Sequence, residues 1–193
     1  MKGALLTTFT FLFATFSINA METFRIVTVE WPPYISKDLP EHGPFTKELK
    51  NKLEKKNIKL ELVYRPWARA VKEARDGLHD AIFPEYYNES RAKDFFYTKA
   101  LADGPVGLFA VENSRALEDE TSLAGKRIGL VRGYVNTPII DNDRSLIKDF
   151  AISDEDNIRK LCSGRVDMIF IDDHVLEFIL DTMKRKGEQC PRV

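Results

Sequence analysis

The sequence has few of the residues that metal centres and covalent catalytic sites use. Only two cysteines and three histidines occur among its 193 residues, and no spaced set of His, Cys and Glu completes a coordination shell. His42 and His79 have no sequence partner that suggests catalysis, and no nucleophile–base pair is recognisable. We therefore predict a site that binds a ligand without a metal, a cofactor or covalent chemistry.

The chain also lacks an excess of charge of either sign. Its 29 Lys and Arg side chains nearly balance 30 Asp and Glu, which gives a net charge of −1. Nucleic acid and anionic membranes are therefore not expected as partners. Apolar residues make up 44% and charged residues 31% of the sequence, as in soluble globular proteins.

Long apolar runs are absent after the N-terminal segment. Residues 4–16 are mainly apolar, Lys2 precedes them, and Ala20 is a small residue of the kind that signal peptidase requires. The pattern predicts a signal peptide over residues 1–20. The alternative is a membrane anchor, but the run is shorter than the roughly 20 residues that span a bilayer. We expect a secreted chain that does not span the membrane after removal of the signal.

The two cysteines, Cys162 and Cys190, would then lie in a compartment that permits a disulfide. Spacing alone leaves the pairing open, because a bridge needs Cα atoms within about 7 Å of each other. The sequence does not decide between a bridge and two free thiols.

The remaining chain alternates strand-like and helix-like segments. This alternation predicts an α/β fold with largely parallel sheets. Strands are predicted at 24–29, 58–64, 80–83, 106–111, 127–131 and 166–171, and helices at 45–57, 66–77, 122–125, 153–164 and 175–184. A loose connection over residues 101–105 separates the two halves.

Candidate site residues follow the predicted strands, because ligands of open α/β sheets bind beyond the carboxyl ends of the strands. The set combines carboxylates, cations and aromatic rings, which suits a small polar ligand with an apolar body. Its members are Glu30, Trp31, Trp67, Glu85, Tyr86, Arg91, Arg132, Gly133, Tyr134 and Asp172, joined by Tyr34 of the Trp-Pro-Pro-Tyr segment.

Several of these residues have a plainer alternative. Arg91 either binds a carboxylate through two parallel N–H bonds or is a solvated arginine at the start of a helix. Trp67 either stacks on the ligand or is partly buried at a helix start. Asp172 either receives an ammonium group or is a helix N-cap. The loop at Gly133 either binds an anion or only joins a strand to a helix, and Arg69 is interpreted as solvated.

Six segments, in this order and spacing, resemble family 3 extracellular solute-binding proteins, the periplasmic receptors of polar amino-acid ABC transporters. They are VEWPPY (29–34), YRPWARA (64–70), GLHDAIF (77–83), NESRAKDFFY (88–97), LAGKRIGLVRGY (123–134) and SGRVDMIFID (163–172). The resemblance implies a two-lobed periplasmic-binding-protein-like fold of type II, with lobe 1 at 21–101, a hinge at 102–105 and lobe 2 at 106–193. It also implies a periplasmic location and an ABC transporter permease as partner.

The resemblance further implies roles for individual residues. An arginine placed like Arg91 binds the ligand carboxylate, and an acid placed like Asp172 binds the amino group. Trp67 falls at the position of an aromatic platform, while Glu30 and Tyr134 fall at further ligand contacts.

The chain departs from the family's pattern at two places. Pro84-Glu85-Tyr86-Tyr87 stands where amino-acid receptors carry a small residue and a threonine, so a bulkier and more acidic wall suits a basic or differently shaped solute. The family pattern also continues beyond Val193 with a crossing back into lobe 1. We therefore expect a truncated product whose lobe 1 lacks its C-terminal portion and is marginally stable, since apolar cover is lost. A monomer that melts cooperatively would contradict this expectation.

The leading hypothesis is a periplasmic solute-binding protein for an amino acid or related compound, and not an enzyme. One alternative is an enzyme on the same fold, similar to cyclohexadienyl dehydratase, with Glu85 as the candidate acid–base group. Another is a ligand-sensing module that binds a receptor ectodomain. The identity of the ligand and the oligomeric state stay open.

Overall fold

A computed structural model describes residues 21–102, 104–114 and 123–193. The predicted signal peptide at 1–20 lies outside these described residues, and so do Asp103 of the predicted hinge and Ser122 of a predicted short helix. The described chain forms two sheets, each with its own helices. The signal peptide and the limits of the two lobes therefore remain predictions from the sequence.

The first sheet, with its helices, is called lobe 1. Its three parallel strands are β1 (Glu22–Thr28), β2 (Ile58–Tyr64) and β3 (Ala81–Ile82) in the order β2-β1-β3, and its helices are α1 (Pro44–Glu54) and α2 (Trp67–Arg75). Parallel neighbours require a crossover connection, which α1 and α2 provide. The central strand β1 is the most buried of the three, and its Ile26 and Val27 are 2% and 0% exposed.

The second sheet, with its helices, is called lobe 2. Its strands are β4 (Val106–Phe109), β5 (Arg127–Val131), β6 (Ile147–Ala151) and β7 (Met168–Asp172), and its helices are α3 (Pro138–Asn142), α4 (Asp154–Cys162) and α5 (Asp173–Arg185). The strand order is β4-β7-β5-β6, with β4 antiparallel and the other pairs parallel. The α/β class with largely parallel sheets is confirmed.

Local sequence signals fix most helix boundaries. Ser153 caps α4 by accepting a hydrogen bond from the Asp156 backbone N–H at 3.2 Å, as the sequence predicts. Gly77 and Gly164 follow α2 and α4 with φ values of +74° and +68°, a backbone region that glycine adopts without strain.

In the described chain, one predicted helix is wrong and one observed strand is not predicted by the sequence. The segment predicted as a helix at 122–125 forms a turn over its described part, in which the Lys126 N–H donates to the Leu123 carbonyl at 3.1 Å. Strand β6 was not expected, because its sequence Ile-Lys-Asp-Phe-Ala does not alternate polar and apolar residues. It lies at the edge of the sheet with Ile147 and Phe150 exposed, so pairing with β5 decides its conformation.

A disulfide ties the C-terminal segment to lobe 2. Cys162 at the end of α4 is bonded to Cys190, with the two Cα atoms 4.9 Å apart. Beyond it, the Arg192 carbonyl accepts a hydrogen bond from the Glu112 N–H at 2.7 Å. The structure thus settles the pairing that spacing left open.

The apolar clusters of the two lobes meet. Trp31, which follows β1, packs into the cluster built by α4, β7 and α5. In the opposite direction, Tyr134 of lobe 2 packs on the cluster around Trp67 and Val27 in lobe 1. None of the helices in the described ranges has the length and apolar character needed to cross a bilayer.

Candidate ligand site between the lobes

Asp172 is the centre of the polar contacts between the lobes. It ends β7 and is 3% exposed. Its carboxylate accepts hydrogen bonds from the Val175 N–H at 3.1 Å, from the Tyr34 hydroxyl at 3.1 Å and from the Tyr86 hydroxyl at 2.8 Å. The N-cap alternative is what the structure shows, and the same carboxylate also faces lobe 1. Binding of a ligand ammonium group stays a prediction.

An aromatic wall holds the two tyrosines against Asp172. The ring of Tyr34 stacks on Phe45 at 4.7 Å between centroids and tilts against Trp31 at 4.6 Å, while Tyr86 lies edge-on to Trp31 at 6.0 Å. Burial, reinforced by the charge of Asp172, raises the pKa of both phenols. Both hydroxyls are therefore protonated donors at neutral pH.

Asp154 is a second buried carboxyl, which the sequence did not identify as a site residue. It is 6% exposed and accepts a hydrogen bond from the Tyr134 hydroxyl at 2.9 Å. Burial raises its pKa to about 7, Asp172 adds to the shift, and the Tyr134 hydroxyl opposes it. A signal existed, because Asp154 begins the buried i, i+3, i+4, i+7 stripe of α4. Acidic residues are common in the first turn of a helix whether or not they line a site, so this pattern alone does not predict a functional role for Asp154.

Arg91 is buried between the lobes and has protein partners on both sides. It is 6% exposed. Its Nη2 donates to the Gly133 carbonyl of lobe 2 at 2.9 Å, and its Nε lies 3.1 Å from Glu85 Oε2 of lobe 1. This second contact is an ion pair without hydrogen-bond geometry. Neither Arg91 Nε nor Glu85 Oε2 has a hydrogen-bond partner among the described residues. Burial raises the pKa of Glu85 to about 7, although the Arg91 guanidinium lowers it.

Trp67 is at once a core residue and a neighbour of the site. It is 4% exposed, at the first position of α2, where it packs on Val27 and Val71. Its ring lies edge-on to Tyr134 at 6.1 Å. Burial at the helix start, the plainer alternative, is therefore what the structure shows, together with a contact across the lobes.

The structure brings most of the predicted residues into one group, here called the cleft cluster. Its members are Tyr34, Glu85, Tyr86, Arg91, Tyr134, Asp154 and Asp172, with Trp31 and Trp67 packed against them. Electrostatic coupling supports the grouping, since the Tyr134 pKa responds to Glu85 and that of Tyr86 to Asp154.

Two predicted site residues have exposed side chains and partners elsewhere. Glu30 forms an ion pair with Lys37 at 3.2 Å, and the Arg132 guanidinium lies over the Phe150 ring at 5.7 Å. Arg69, interpreted as solvated, is largely exposed but also pairs with Glu73 at 2.5 Å.

The backbones of the two lobes approach each other closely at Gly133. Its φ is +87°, and a Cβ added there would lie 2.8 Å from the Ala68 Cα of lobe 1. Gly104, within the predicted hinge, is also confined, since an added Cβ would lie 2.7 Å from the side-chain Oδ2 of Asp172. At Gly133 the neighbour is backbone and φ is positive, so a larger residue there is strained.

Two α/β lobes whose polar side chains meet at the ends of parallel strands define a periplasmic-binding-protein-like fold of type II. Solved structures with the same fold are amino-acid-binding proteins of ABC transporters and their relatives, so the predicted fold is confirmed.

One similar structure is an ancestral arginine-binding protein bound to arginine, which matches with a TM-score of 0.73 and 19% identity over 90% of this chain and 80% of that one. Another is AbpA from Streptococcus pneumoniae bound to L-arginine, with a TM-score of 0.67 and 16% identity over 82% and 71% of the two chains. A third is the ancestral amino acid-binding protein AncCDT-1, a precursor of cyclohexadienyl dehydratase, with a TM-score of 0.68 and 15% identity over 82% and 74%.

No protein-family model and no curated protein sequence matches the chain. At identities below 20%, the structural likeness establishes the fold and leaves the function to the residues of the site.

Proposed function

We propose that this protein is a periplasmic solute-binding protein that captures a small polar ligand, an amino acid or a related compound, between its two lobes. The ligand would then pass to an ABC transporter permease. The similar structures that bind arginine support this proposal, as does the joining of polar groups from both lobes in one cluster.

The observation that carries the proposal is the set of hydrogen bonds between the lobes. Tyr34 and Tyr86 of lobe 1 donate to Asp172 of lobe 2, and Arg91 of lobe 1 donates to the Gly133 carbonyl of lobe 2. A ligand with donors of its own satisfies the same acceptors and bridges the lobes. Its contacts with both lobes then favour the closed conformation, because a ligand shifts a conformational equilibrium by its differential affinity for the two states.

A thermal-shift screen over amino acids, amines and related solutes tests the proposal. A ligand that binds the folded state raises the melting temperature in proportion to RT ln(1 + [L]/Kd). The variant Asp172→Asn keeps a good helix cap but removes the negative charge, so we expect it to lose at least about tenfold in affinity. The control is Asp181→Asn, which changes an exposed aspartate of the same helix. If no solute shifts the melting temperature, or if Asp172→Asn binds like the wild type, the proposal is wrong.

A second candidate function is an enzyme related to dehydratases, with Glu85 as the acid–base group. Its buried carboxyl has a pKa raised to about 7, near the value at which a general acid is most effective. The likeness to a precursor of cyclohexadienyl dehydratase is compatible with this role. Incubation with prephenate or arogenate tests it. Formation of an aromatic product that Glu85→Gln abolishes would favour the enzyme, and its absence would exclude these two substrates.

A further inference from the structure

We infer that the ligand of the cleft cluster is an organic cation without a carboxylate, namely an aliphatic amine or guanidine compound. This inference rests on the proposed function and names the class of solute. It follows from the charges of the cluster, from the partners of Arg91 and from the aromatic rings around Asp172.

The charges of the cleft cluster favour a cation. Three carboxyl groups, those of Glu85, Asp154 and Asp172, accompany the single guanidinium of Arg91. When all are ionised, two negative charges remain unbalanced. Among the described residues, Asp173 adds negative charge beside Tyr34, and His174 lies 6.3 Å from that ring. Tyr97, which lies near Glu85 and Arg91, adds no positive charge. A ligand with two positive charges neutralises the cluster, whereas the carboxylate of an amino acid adds to the excess.

The guanidinium that would bind a carboxylate already has protein partners at two of its nitrogens. Nη2 of Arg91 donates one of its two N–H groups to the Gly133 carbonyl at 2.9 Å. Its Nε faces Glu85 at 3.1 Å in an ion pair whose side chains are 7% and 12% exposed. A ligand carboxylate that binds the Nε edge of this guanidinium would have to displace Glu85, a glutamate of the same charge, and leaving that glutamate unpaired costs free energy.

Aromatic rings lie beside two carboxyl groups of the cluster. The ring centroid of Trp31 is 4.6 Å from that of Tyr34 and 6.0 Å from that of Tyr86, and both tyrosines donate to Asp172. Tyr134 donates to Asp154, and the Trp67 ring lies edge-on to Tyr134 at 6.1 Å. Carboxylates lined by aromatic faces are well suited to an alkylammonium or guanidinium group, which gains both an ion pair and cation–π attraction. The alkyl chain of such a solute packs on the same rings.

Matched pairs of solutes test this inference by calorimetric titration at pH 8, where the Glu85 and Asp154 carboxyls, whose pKa values are raised to about 7, are ionised. Cadaverine differs from lysine, and agmatine from arginine, only by the absence of the carboxylate. We expect the decarboxylated member of at least one pair to bind at least about tenfold more tightly. Equal or tighter binding of lysine or arginine would overturn the inference and leave the proposed function intact. Absence of binding by every solute of the wider screen would overturn both.

The variant Glu85→Gln tests the reason for the preference. It removes the charge that engages Arg91 and frees the guanidinium for a ligand carboxylate. We therefore expect the preference for the decarboxylated solute to fall at least about tenfold. The control is Glu61→Gln, which changes an exposed lobe 1 glutamate paired with Arg25. A folded Glu85→Gln protein, verified by its near-ultraviolet circular dichroism, that keeps the wild-type preference would overturn the role of Glu85.

Discussion

At the scale of single residues, Asp172 and Asp154 of lobe 2 show how two identical side chains acquire different surroundings in the fold. Asp172 receives three hydrogen bonds, one of them from the first turn of α5. Asp154 receives one side-chain hydrogen bond, from Tyr134, and burial raises its pKa to about 7. The hydrogen-bond donors around each carboxyl group and its burial determine how that group is stabilised, although both residues are aspartates.

The raised pKa of Asp154 predicts a dependence of stability on pH. Because the folded-state pKa, about 7, exceeds the unfolded value of about 3.9, the folded state binds the proton more tightly between these values. The stabilisation is complete below the unfolded pKa and is lost as the pH rises through the folded one. Asp154→Asn removes this dependence. Between pH 5 and pH 7, we expect the wild type to lose about 2 kcal/mol more unfolding free energy than the variant does.

Urea unfolding at the two pH values measures the difference. The control Glu155→Gln changes the exposed neighbour of Asp154, which pairs with Arg159 on the surface, and is expected to keep the wild-type dependence. Parallel pH curves for the wild type and Asp154→Asn would contradict a raised pKa at this residue.

At the scale of elements, the site is assembled from segments that follow strands. Asp172 lies where β7 meets α5, Gly133 follows β5, and Glu85 follows β3. Parallel strands place these ends at one edge of each sheet, which explains why the strand-end rule found most of the cluster. The close contact of Gly133 with Ala68 makes the loop after β5 part of the surface where the two lobes meet.

Gly133→Ala is expected to impair closure. The new methyl group would lie 2.8 Å from the Ala68 Cα, at a φ of +87°, so the variant combines a local strain of about 1–2 kcal/mol with a collision between the lobes. The matched control is Gly164→Ala, since Gly164 also has a positive φ, +68°, but an added Cβ there has no neighbour within 4 Å. Both variants should lower the melting temperature, but only Gly133→Ala should weaken ligand binding. A wild-type Kd for Gly133→Ala would contradict a closure that brings these residues together.

At the scale of the whole molecule, the two lobes are held in contact by a few polar groups and by aromatic side chains that cross between apolar clusters. Trp31 belongs to the cluster of lobe 2 and Tyr134 packs on that of lobe 1. The match to this chain covers 80% of the ancestral arginine-binding protein and 71% of AbpA. The disulfide between Cys162 and Cys190 adds a covalent constraint within lobe 2.

Removing that disulfide by the double variant Cys162→Ser, Cys190→Ser is expected to destabilise the protein. The bridge joins residues 28 positions apart, and a loop of this size corresponds to about 2–4 kcal/mol through the lowered entropy of the unfolded chain. Urea unfolding of the oxidised wild type and the variant measures the loss. The wild type unfolded in excess reductant serves as the control and should match the variant. Equal stability of the oxidised and reduced wild type would contradict the prediction.

The sequence predicted the elements whose signals are local. Pro66 at the start of α2, the Ser153 cap and the glycines after α2 and α4 are signals that depend on neighbours within one or two turns. The sequence did not predict strand β6, because it is an edge strand with exposed Ile147 and Phe150. Its conformation depends on pairing with β5. At Leu123–Gly125 the sequence predicted an element that does not form. Gly125 is a residue that commonly ends helices, but the described residues before it form a turn.

The sequence by itself determined the α/β class, the parallel order of elements and the strand ends where polar residues collect, since hydrophobic periodicity and turn residues encode these features locally. Only the tertiary structure decided which side chains meet. It joined Tyr34 and Tyr86 to Asp172, added Asp154, engaged Arg91 with Glu85, and placed Glu30 and Arg132 on the surface. The physical reason is that these contacts link residues up to 138 positions apart, whose distances are fixed by the packing of one lobe on the other.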